Sequence, residues 1–373
     1  MVVGHFLKWI DTARVSERVV AASALARAYI EKTMDFEDRC AAEAALTLLL
    51  DDPSAKVRMA LAETLSMSRQ APPQIVAALA ADQPEVAAFV LGRSPLLSDA
   101  DLVDRVASGT EATRGLIAGR GGLSMSVAAA IAEVGEASSC LALLANGSAS
   151  IASLSYRRMT ERLGHHATLR EALLADPGLP SDCRHMLLVK LGEALKQSPL
   201  VVALIGKARA ERVTRDACVK ASITLIDGIR ADEHPALVEH LRLSGDLTAA
   251  FLIRTLAHGK VDFFGAVLIA LSGEAPERVT ALLAGGRDVA LSALFRRAGL
   301  AAAIHAVILC ALKVWRDVAS QRTIAGAQEV SWLMLDNLCR AGAAADLIAL
   351  VKSIHLDALR DNARGHALAI AAA

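Results

Sequence analysis

LTLLLDDPSAKVRMALAETL, residues 46–65, is the clearest indication of the fold. An Asp-Pro turn separates two apolar runs, and the second run opens with a Val-Arg pair. Val57, Leu61 and Leu65 recur in that run at helical spacing, which makes one face of the helix apolar, and Arg58 lies off this face. The stretch therefore predicts two short helices joined by a tight turn.

The same helix–turn–helix pattern repeats along the first half of the chain. Residues 98–122 align with residues 124–148 at a shift of 26 positions, so that Gly109 aligns with Gly135 and Gly121 with Gly147. Ser98 and Ser124 are good N-cap residues, and the glycines are good residues to end a helix. The predicted turns recur every 26 to 30 residues, at Asp52-Pro53, Asp82, Gly109, Gly135 and Gly164.

Such short helix pairs cannot bury an apolar face alone and must stack on their neighbours. Residues 46–65 resemble a HEAT repeat, in which the turn aspartate and the basic residue of the second helix form hydrogen bonds between repeats. The resemblance implies that structural role for Asp52 and Arg58. The predicted fold is all-α, a right-handed α-solenoid of HEAT-like helix pairs.

The pattern predicts two regions. Residues 1–180 form the regular repeat array, and residues 181–373 form a region with longer helices, including 181–197 and 211–229. Glycines at 13- to 14-residue spacing then mark one helix each, at Gly245, Gly259, Gly273, Gly286 and Gly299. One continuous solenoid is the favoured arrangement, and two independently folded domains are the alternative.

Composition and charge narrow the possible functions. Forty basic and forty acidic residues cancel, without blocks of one sign, which disfavours a general affinity for nucleic acid. Mean hydropathy is +0.40, but each long apolar run carries charged residues, so the sequence predicts no membrane insertion. Without an export signal at the start, a cytoplasmic location is expected.

The sequence holds no motif for a metal, a cofactor or a catalytic nucleophile. The six cysteines are scattered, without a CxxC pair, and are interpreted as small core residues. His165, His166, His234 and His240 lack the spacing of a zinc site and are interpreted as surface or capping residues. A non-enzymatic protein is predicted, and an enzyme or regulator with an unrecognised site stays an alternative.

Two longer stretches, residues 89–131 and 247–300, resemble a bacterial family catalogued as domain of unknown function 2336. The most specific residues follow Arg254 and include Phe263-Phe264 and the closing Leu294 to Leu300. The resemblance extends over about residues 18–312 and implies a bacterial cytoplasmic protein, without an assigned chemistry.

The leading functional hypothesis is a protein–protein interaction or scaffolding module, because a solenoid presents an extended surface to a protein or peptide. The candidate contact residues are arginines and phenylalanines, which are common at interfaces. They are Arg58, Arg93, Arg114, Arg120, Arg254, Phe263, Phe264, Arg296 and Arg297. Since Phe263 and Phe264 are adjacent, one is expected in the core and the other at a seam or contact.

Two alternatives remain open at the level of sequence. Nucleic-acid binding would require Arg58, Arg93, Arg114 and Arg120 to line one concave face without carboxylate partners. Homo-oligomerisation would use C-terminal helices, where Trp332, Leu333, Leu335 and Leu338 could pack on a second copy or fold back on the solenoid.

Overall fold

A computed structural model describes residues 9–10, 12–31 and 34–372. Within these ranges the regular elements are helices, as the sequence predicts. The chain divides into two compact units, Met1–Leu179 and Pro180–Ala373.

The first unit is a series of short helices. They are α1 (Val15–Ile30), α2 (Phe36–Leu49), α3 (Ala55–Leu65), α4 (Pro73–Ala80), α5 (Pro84–Arg93), α6 (Asp99–Ser108), α7 (Glu111–Ala118), α8 (Met125–Val134), α9 (Ala137–Ala145), α10 (Ser153–Leu163) and α11 (Ala167–Ala175). All five predicted turns lie between the two helices of a pair, so the predicted helix pairs are confirmed.

These helices stack in two rows. In one row α3 packs between α1 and α5, and α7 packs between α5 and α9; in the other, α8 packs between α6 and α10. Val57, Leu61 and Leu65 are buried, as the apolar spacing predicts. This arrangement of packed pairs is the one that the solenoid prediction requires.

The turns of the first unit have the expected N-cap residues, but the backbone conformation of their glycines differs from that of a usual glycine at a helix end. Ser98 and Ser124 accept hydrogen bonds from the third residue of their helices. Gly109 and Gly135 have extended rather than left-handed backbones, with φ of −81° and −67°. A Cβ on Gly135 would lie 2.6 Å from the carbonyl oxygen of Ile131, so close approach rather than positive φ requires glycine here.

Polar side chains join successive helix pairs. Glu111 of α7 accepts hydrogen bonds from the backbone N–H groups of Glu136 and Ser139 and from the hydroxyl of Ser138, at the start of α9. Burial raises the pKa of Glu111, but these hydrogen bonds outweigh it and lower the pKa to about 2. The carboxylate therefore caps a helix of the next pair.

The second unit has longer helices, and a short 3₁₀ turn at Ala231–Glu233. They are α12 (Ser181–Gln197), α13 (Pro199–Ile205), α14 (Lys207–Gly228), α15 (His234–Ser244), α16 (Ala249–Ala257), α17 (Val261–Ser272), α18 (Pro276–Gly285), α19 (Asp288–Arg297), α20 (Ala302–Ala319), α21 (Ala327–Arg340) and α22 (Ala345–Ala372).

The predicted helix 181–197 is confirmed, whereas the helix predicted from residue 211 begins at Lys207. Pro199 occupies the first turn of α13, a position where proline is favoured. Gly206, with φ of 78°, then separates α13 from α14.

The core of the second unit surrounds α16, which packs against α14, α17, α20, α21 and α22. Most of its residues are buried, among them Phe251, Leu252 and Leu256. Glycines after the helices adopt left-handed conformations at Gly245 and Gly259 and again further along the chain. The prediction of one helix per glycine is confirmed.

The C-terminal helices fold back, because α22 packs on α21 and on α16. Leu338 is buried and Leu335 packs against the core, so these two residues belong to the fold. Trp332 and Leu333 are exposed.

The six cysteines do not share one environment. Cys40 and Cys339 are exposed, so the cysteines are not uniformly core residues.

In the described part of the chain, each helix is too short or too polar to cross a membrane.

Candidate protein-binding groove

Arg58 makes contacts inside the repeat array. Its guanidinium donates to Asp82 at 2.6 and 3.0 Å and to the carbonyl oxygen of Asp52 at 2.6 Å. The Asp52 carboxylate accepts from Arg18 at 2.8 and 3.1 Å. Both residues therefore have the inter-repeat role that the resemblance to HEAT repeats implies.

Arg114 and Arg120 also donate to the backbone. Arg114 donates to the carbonyl oxygen of Val106 at 2.9 Å and lies 3.7 Å from Glu111. Arg120 donates to the carbonyl oxygens of Leu91, at 3.0 Å, and Ser94. These two carbonyls end α5, so Arg120 binds the preceding helix pair rather than its own helix.

Arg93 is the exposed member of the four candidate arginines in the first unit. Its guanidinium carbon lies 5.2 Å from the centre of the Phe89 ring, in a cation–π contact on the same helix. The condition for a nucleic-acid track is thus not met, because Arg58 and Arg114 have carboxylate neighbours and Arg120 is bound to carbonyls.

Arg254 is an internal contact of the second unit. Its guanidinium pairs with Asp357 of α22 at 3.0 Å, and it donates to the hydroxyl of Ser353 at 3.4 Å. Lys220 lies 3.3 Å from the same carboxylate. The arginine therefore fixes the C-terminal helix against α16.

The expectation that only one of Phe263 and Phe264 is buried is wrong, since their side chains are 1% and 0% exposed. Phe263 packs edge-on against Phe251, and Phe264 packs against Phe295. Adjacent side chains can both be buried because neighbouring helices cover α17 on more than one side. Neither ring is available to a partner.

Arg296 and Arg297, at the end of α19, are exposed. Arg297 pairs with Glu274 at 2.5 Å and donates to the carbonyl oxygen of Ser272 at 3.1 Å. Arg296 makes a 3.4 Å hydrogen bond to Ser292 of its own helix. Of the nine candidates, Arg93 and Arg296 are left with the fewest contacts inside the fold.

The second unit holds a groove that the sequence did not indicate, with a volume of about 1010 Å³. Helices α17, α18 and α20 line it, together with the start of α15. The α17 residues recur at a spacing of three to four, so one face of that helix lines the groove. They include Val261, Gly265, Ala266, Ile269 and Ala270.

Small side chains keep the groove open. Ala266 and Ala270 on α17 and Ala284 on α18 occupy little volume. Gly265 lets α17 approach α18, since a Cβ there would lie 3.1 Å from a methyl group of Leu283. A face of small residues on an apolar helix is the sequence signal that could have indicated the groove.

Two large side chains at the groove are fixed by hydrogen bonds. The Trp315 indole N–H donates to the carbonyl oxygen of Leu256 at 2.6 Å. Arg316 donates to the carbonyl oxygens of Leu282, Leu283 and Gly286, at 2.6, 2.7 and 3.1 Å. The groove is therefore preorganised, with its arginine held in place by the end of α18.

Two further polar side chains of the lining, Asp262 and His234, differ in exposure. Asp262 is exposed, whereas His234 is buried against Phe263, with ring centres 5.5 Å apart. Burial lowers the pKa of His234, which disfavours the charged form of its imidazole. The Asp262 carboxylate is thus the exposed charged group of the lining, whereas the charged guanidinium of Arg316 is partly buried against carbonyl oxygens of α18.

A second, more polar cleft of about 670 Å³ lies along α12, α14 and α16. His185 lines it, is buried, and lies 3.2 Å from His240 between the facing ring nitrogens. Burial and the neighbouring His240 lower the pKa of His185 to about 4. The interpretation of the histidines as surface or capping residues is wrong for His234, which is buried.

Comparisons with known proteins give one family. No curated protein and no solved structure matches the chain significantly. The family described as uncharacterised proteins conserved in bacteria, DUF2336, matches residues 86–347. This match spans more than half of the chain and includes the whole groove. The chain therefore belongs to the bacterial DUF2336 family.

Proposed function

We propose that the protein is a protein-binding module and that the groove of the second unit receives an amphipathic helical segment of its partner. The groove itself is the observation that carries this proposal, because a preorganised apolar trough with a small-residue face suits helix-in-groove recognition. The apolar face of the bound helix would replace water over Ala266, Ile269 and Ala270.

The charge of the groove selects among possible helices. Arg316 keeps its positive charge but is partly buried and held by three carbonyls, whereas Asp262 is exposed, so the Asp262 carboxylate is the charge that a bound helix meets most directly. A helix with a small apolar face and a flanking lysine or arginine is therefore the favoured ligand.

Photo-crosslinking in the native host tests the location of the site. A photo-crosslinking amino acid in place of Ala270 is expected to capture a partner at a helical segment with an apolar face. The matched control replaces Ala281, which is exposed on α18 and does not line the groove. Equal capture at both positions would contradict binding in the groove.

Peptide titration then tests the chemistry. A peptide of the captured segment is expected to bind Ala270→Arg about tenfold or more weakly than the wild type, because the arginine places a charge among apolar contacts. Ala281→Arg should bind like the wild type. Asp262→Lys should weaken the binding of a peptide that carries a basic residue. Stronger binding of that peptide by Asp262→Lys would contradict the assignment of Asp262 as the contact for the basic residue.

Self-association is a second candidate, favoured by the exposure of Trp332 and Leu333 on α21. Sedimentation velocity of the wild type and of Trp332→Ser tests it. A dimer that the substitution abolishes would support this candidate, and a wild-type monomer at high concentration would eliminate it.

A further inference from the structure

Helix α13 is apolar in sequence but unusually exposed to solvent. Its sequence is PLVVALI, and none of its seven residues is buried. Leu200 and Leu204, four positions apart on one face, are 68% and 73% exposed. Because an apolar helix gains little by remaining in water, this face is expected to contact something other than water.

Basic residues follow directly in the chain. The first nine residues of α14 contain Lys207, Arg209, Arg212 and Arg215 and one acidic residue, Glu211, in a chain with a net charge of zero. All four basic side chains are exposed. In the described part of the chain, no ion pair joins any of the four to a carboxylate, unlike most other arginines of the second unit.

Helix α13 packs against both α12 and α14. The exposed leucines therefore lie on a helix that packs against α14 and ends two residues before its basic start. We call this combination of α13 with residues 207–215 the apolar-basic tip. Apolar side chains next to unpaired cations are the complement of an anionic bilayer surface, where acyl chains lie beneath negatively charged headgroups.

We propose that the apolar-basic tip binds the surface of an anionic membrane. Leu200, Leu204 and Ile205 enter the boundary between headgroups and acyl chains, while Lys207, Arg209 and Arg212 contact lipid phosphates. The contact is peripheral and reversible, since the helix lies on the bilayer and is far too short to span it. This inference is independent of the groove.

A lipid surface fits these observations better than a protein partner does. The apolar residues of the tip are aliphatic side chains on a single short helix, without Trp, Tyr or Phe between residues 193 and 216. Aromatic anchors are typical of the energetic centres of protein interfaces. A fluid bilayer needs no shape complementarity to cover an exposed helix.

Vesicle sedimentation of the full chain tests the proposal. The wild type is expected to sediment with vesicles of phosphatidylcholine mixed with phosphatidylglycerol and to stay in solution with phosphatidylcholine alone. Salt should release it, because the phosphate contacts are screened. Failure to bind the mixed vesicles at low salt would overturn the proposal.

Two variants separate the apolar and the basic contributions. The substitutions Leu200→Ser with Leu204→Ser, and separately Arg209→Glu with Arg212→Glu, should each weaken binding by about tenfold or more. All four positions are exposed, so folding is expected to persist, and circular dichroism checks this. Wild-type binding by the leucine variant would show that only electrostatic attraction acts, which contradicts insertion.

Val289→Ser is the matched control, because Val289 is 79% exposed on α19 and lies outside the tip. It should bind the mixed vesicles like the wild type. The membrane proposal is wrong if the wild type does not bind the vesicles. If the leucine variant also loses a protein partner that the wild type captures from the host, the tip is a protein-binding surface.

Discussion

Arg58 on α3 and Asp82, in the turn between α4 and α5, form an ion pair with two hydrogen bonds across the boundary between helix pairs. Arg18 on α1 and Asp52, in the turn between α2 and α3, form the same arrangement one pair earlier. An arginine of one pair thus binds the turn aspartate of the next. This repeated link fixes the register between successive helix pairs, which the packing of apolar faces alone defines less strictly.

We expect Arg58→Met to lower the free energy of unfolding by about 2–3 kcal/mol, because it leaves the partly buried Asp82 carboxylate without its partner. Urea denaturation at pH 7 measures the change. Arg93→Met is the matched control, since Arg93 is exposed and should alter stability by less than about 0.5 kcal/mol.

A double-mutant cycle with Asp82→Asn tests whether the pair itself is responsible. The loss in the double variant should be clearly smaller than the sum of the two single losses. Additive losses would show that Arg58 stabilises the fold through its contact with the Asp52 carbonyl alone.

Gly135 is expected to tolerate no side chain. In Gly135→Ala the new Cβ would lie 2.6 Å from the carbonyl oxygen of Ile131 and 2.4 Å from the hydroxyl of Ser139. The turn between α8 and α9 must then shift, at a cost of about 2–4 kcal/mol in urea denaturation. Gly121→Ala, with open space around the new methyl group, should be nearly neutral, and equal losses in both variants would contradict this explanation.

The sequence predicted the turns well because their determinants are local. Ser98, Ser124 and the glycine at each helix end act within a few residues of the chain, and their recurrence gives the repeat. Even so, the sequence did not distinguish a glycine required by close approach, such as Gly135, from one with positive φ, such as Gly259.

The candidate contacts were harder to predict because they depend on distant residues. Whether Phe263 and Phe264 are both buried depends on how many helices surround α17. Arg254 is bound by Asp357, which lies 103 residues away, and nothing local marks that pairing. The groove likewise arises from small side chains on separate helices.

Arg316 illustrates the same point and yields a prediction for the second unit. Arg316→Met removes three hydrogen bonds to the end of α18 and leaves the carbonyls of Leu282, Leu283 and Gly286 without this donor. We expect a loss of about 3 kcal/mol in stability. Arg296→Met, which removes an exposed arginine four positions from its acceptor, should leave stability unchanged, and a similar loss there would argue for a general effect of charge.

His185 should make the protein less stable in mild acid. Its pKa in the folded protein is about 4, below the ordinary histidine value of 6.5, because burial and His240 disfavour the protonated ring. Between these values the unfolded chain binds more protons than the folded chain, so stability is full above about pH 6.5 and falls as the pH decreases toward 4. From pH 7 to pH 5 the contribution of His185 to this loss is about 2 kcal/mol.

Urea denaturation at pH 7 and pH 5 tests this with His185→Gln, which keeps a polar side chain of similar length beside His240. The variant should lose less stability between the two pH values than the wild type does. His166→Gln, at an exposed position before α11, should keep the wild-type difference. If His185→Gln also keeps it, His185 is not the source of the acid sensitivity.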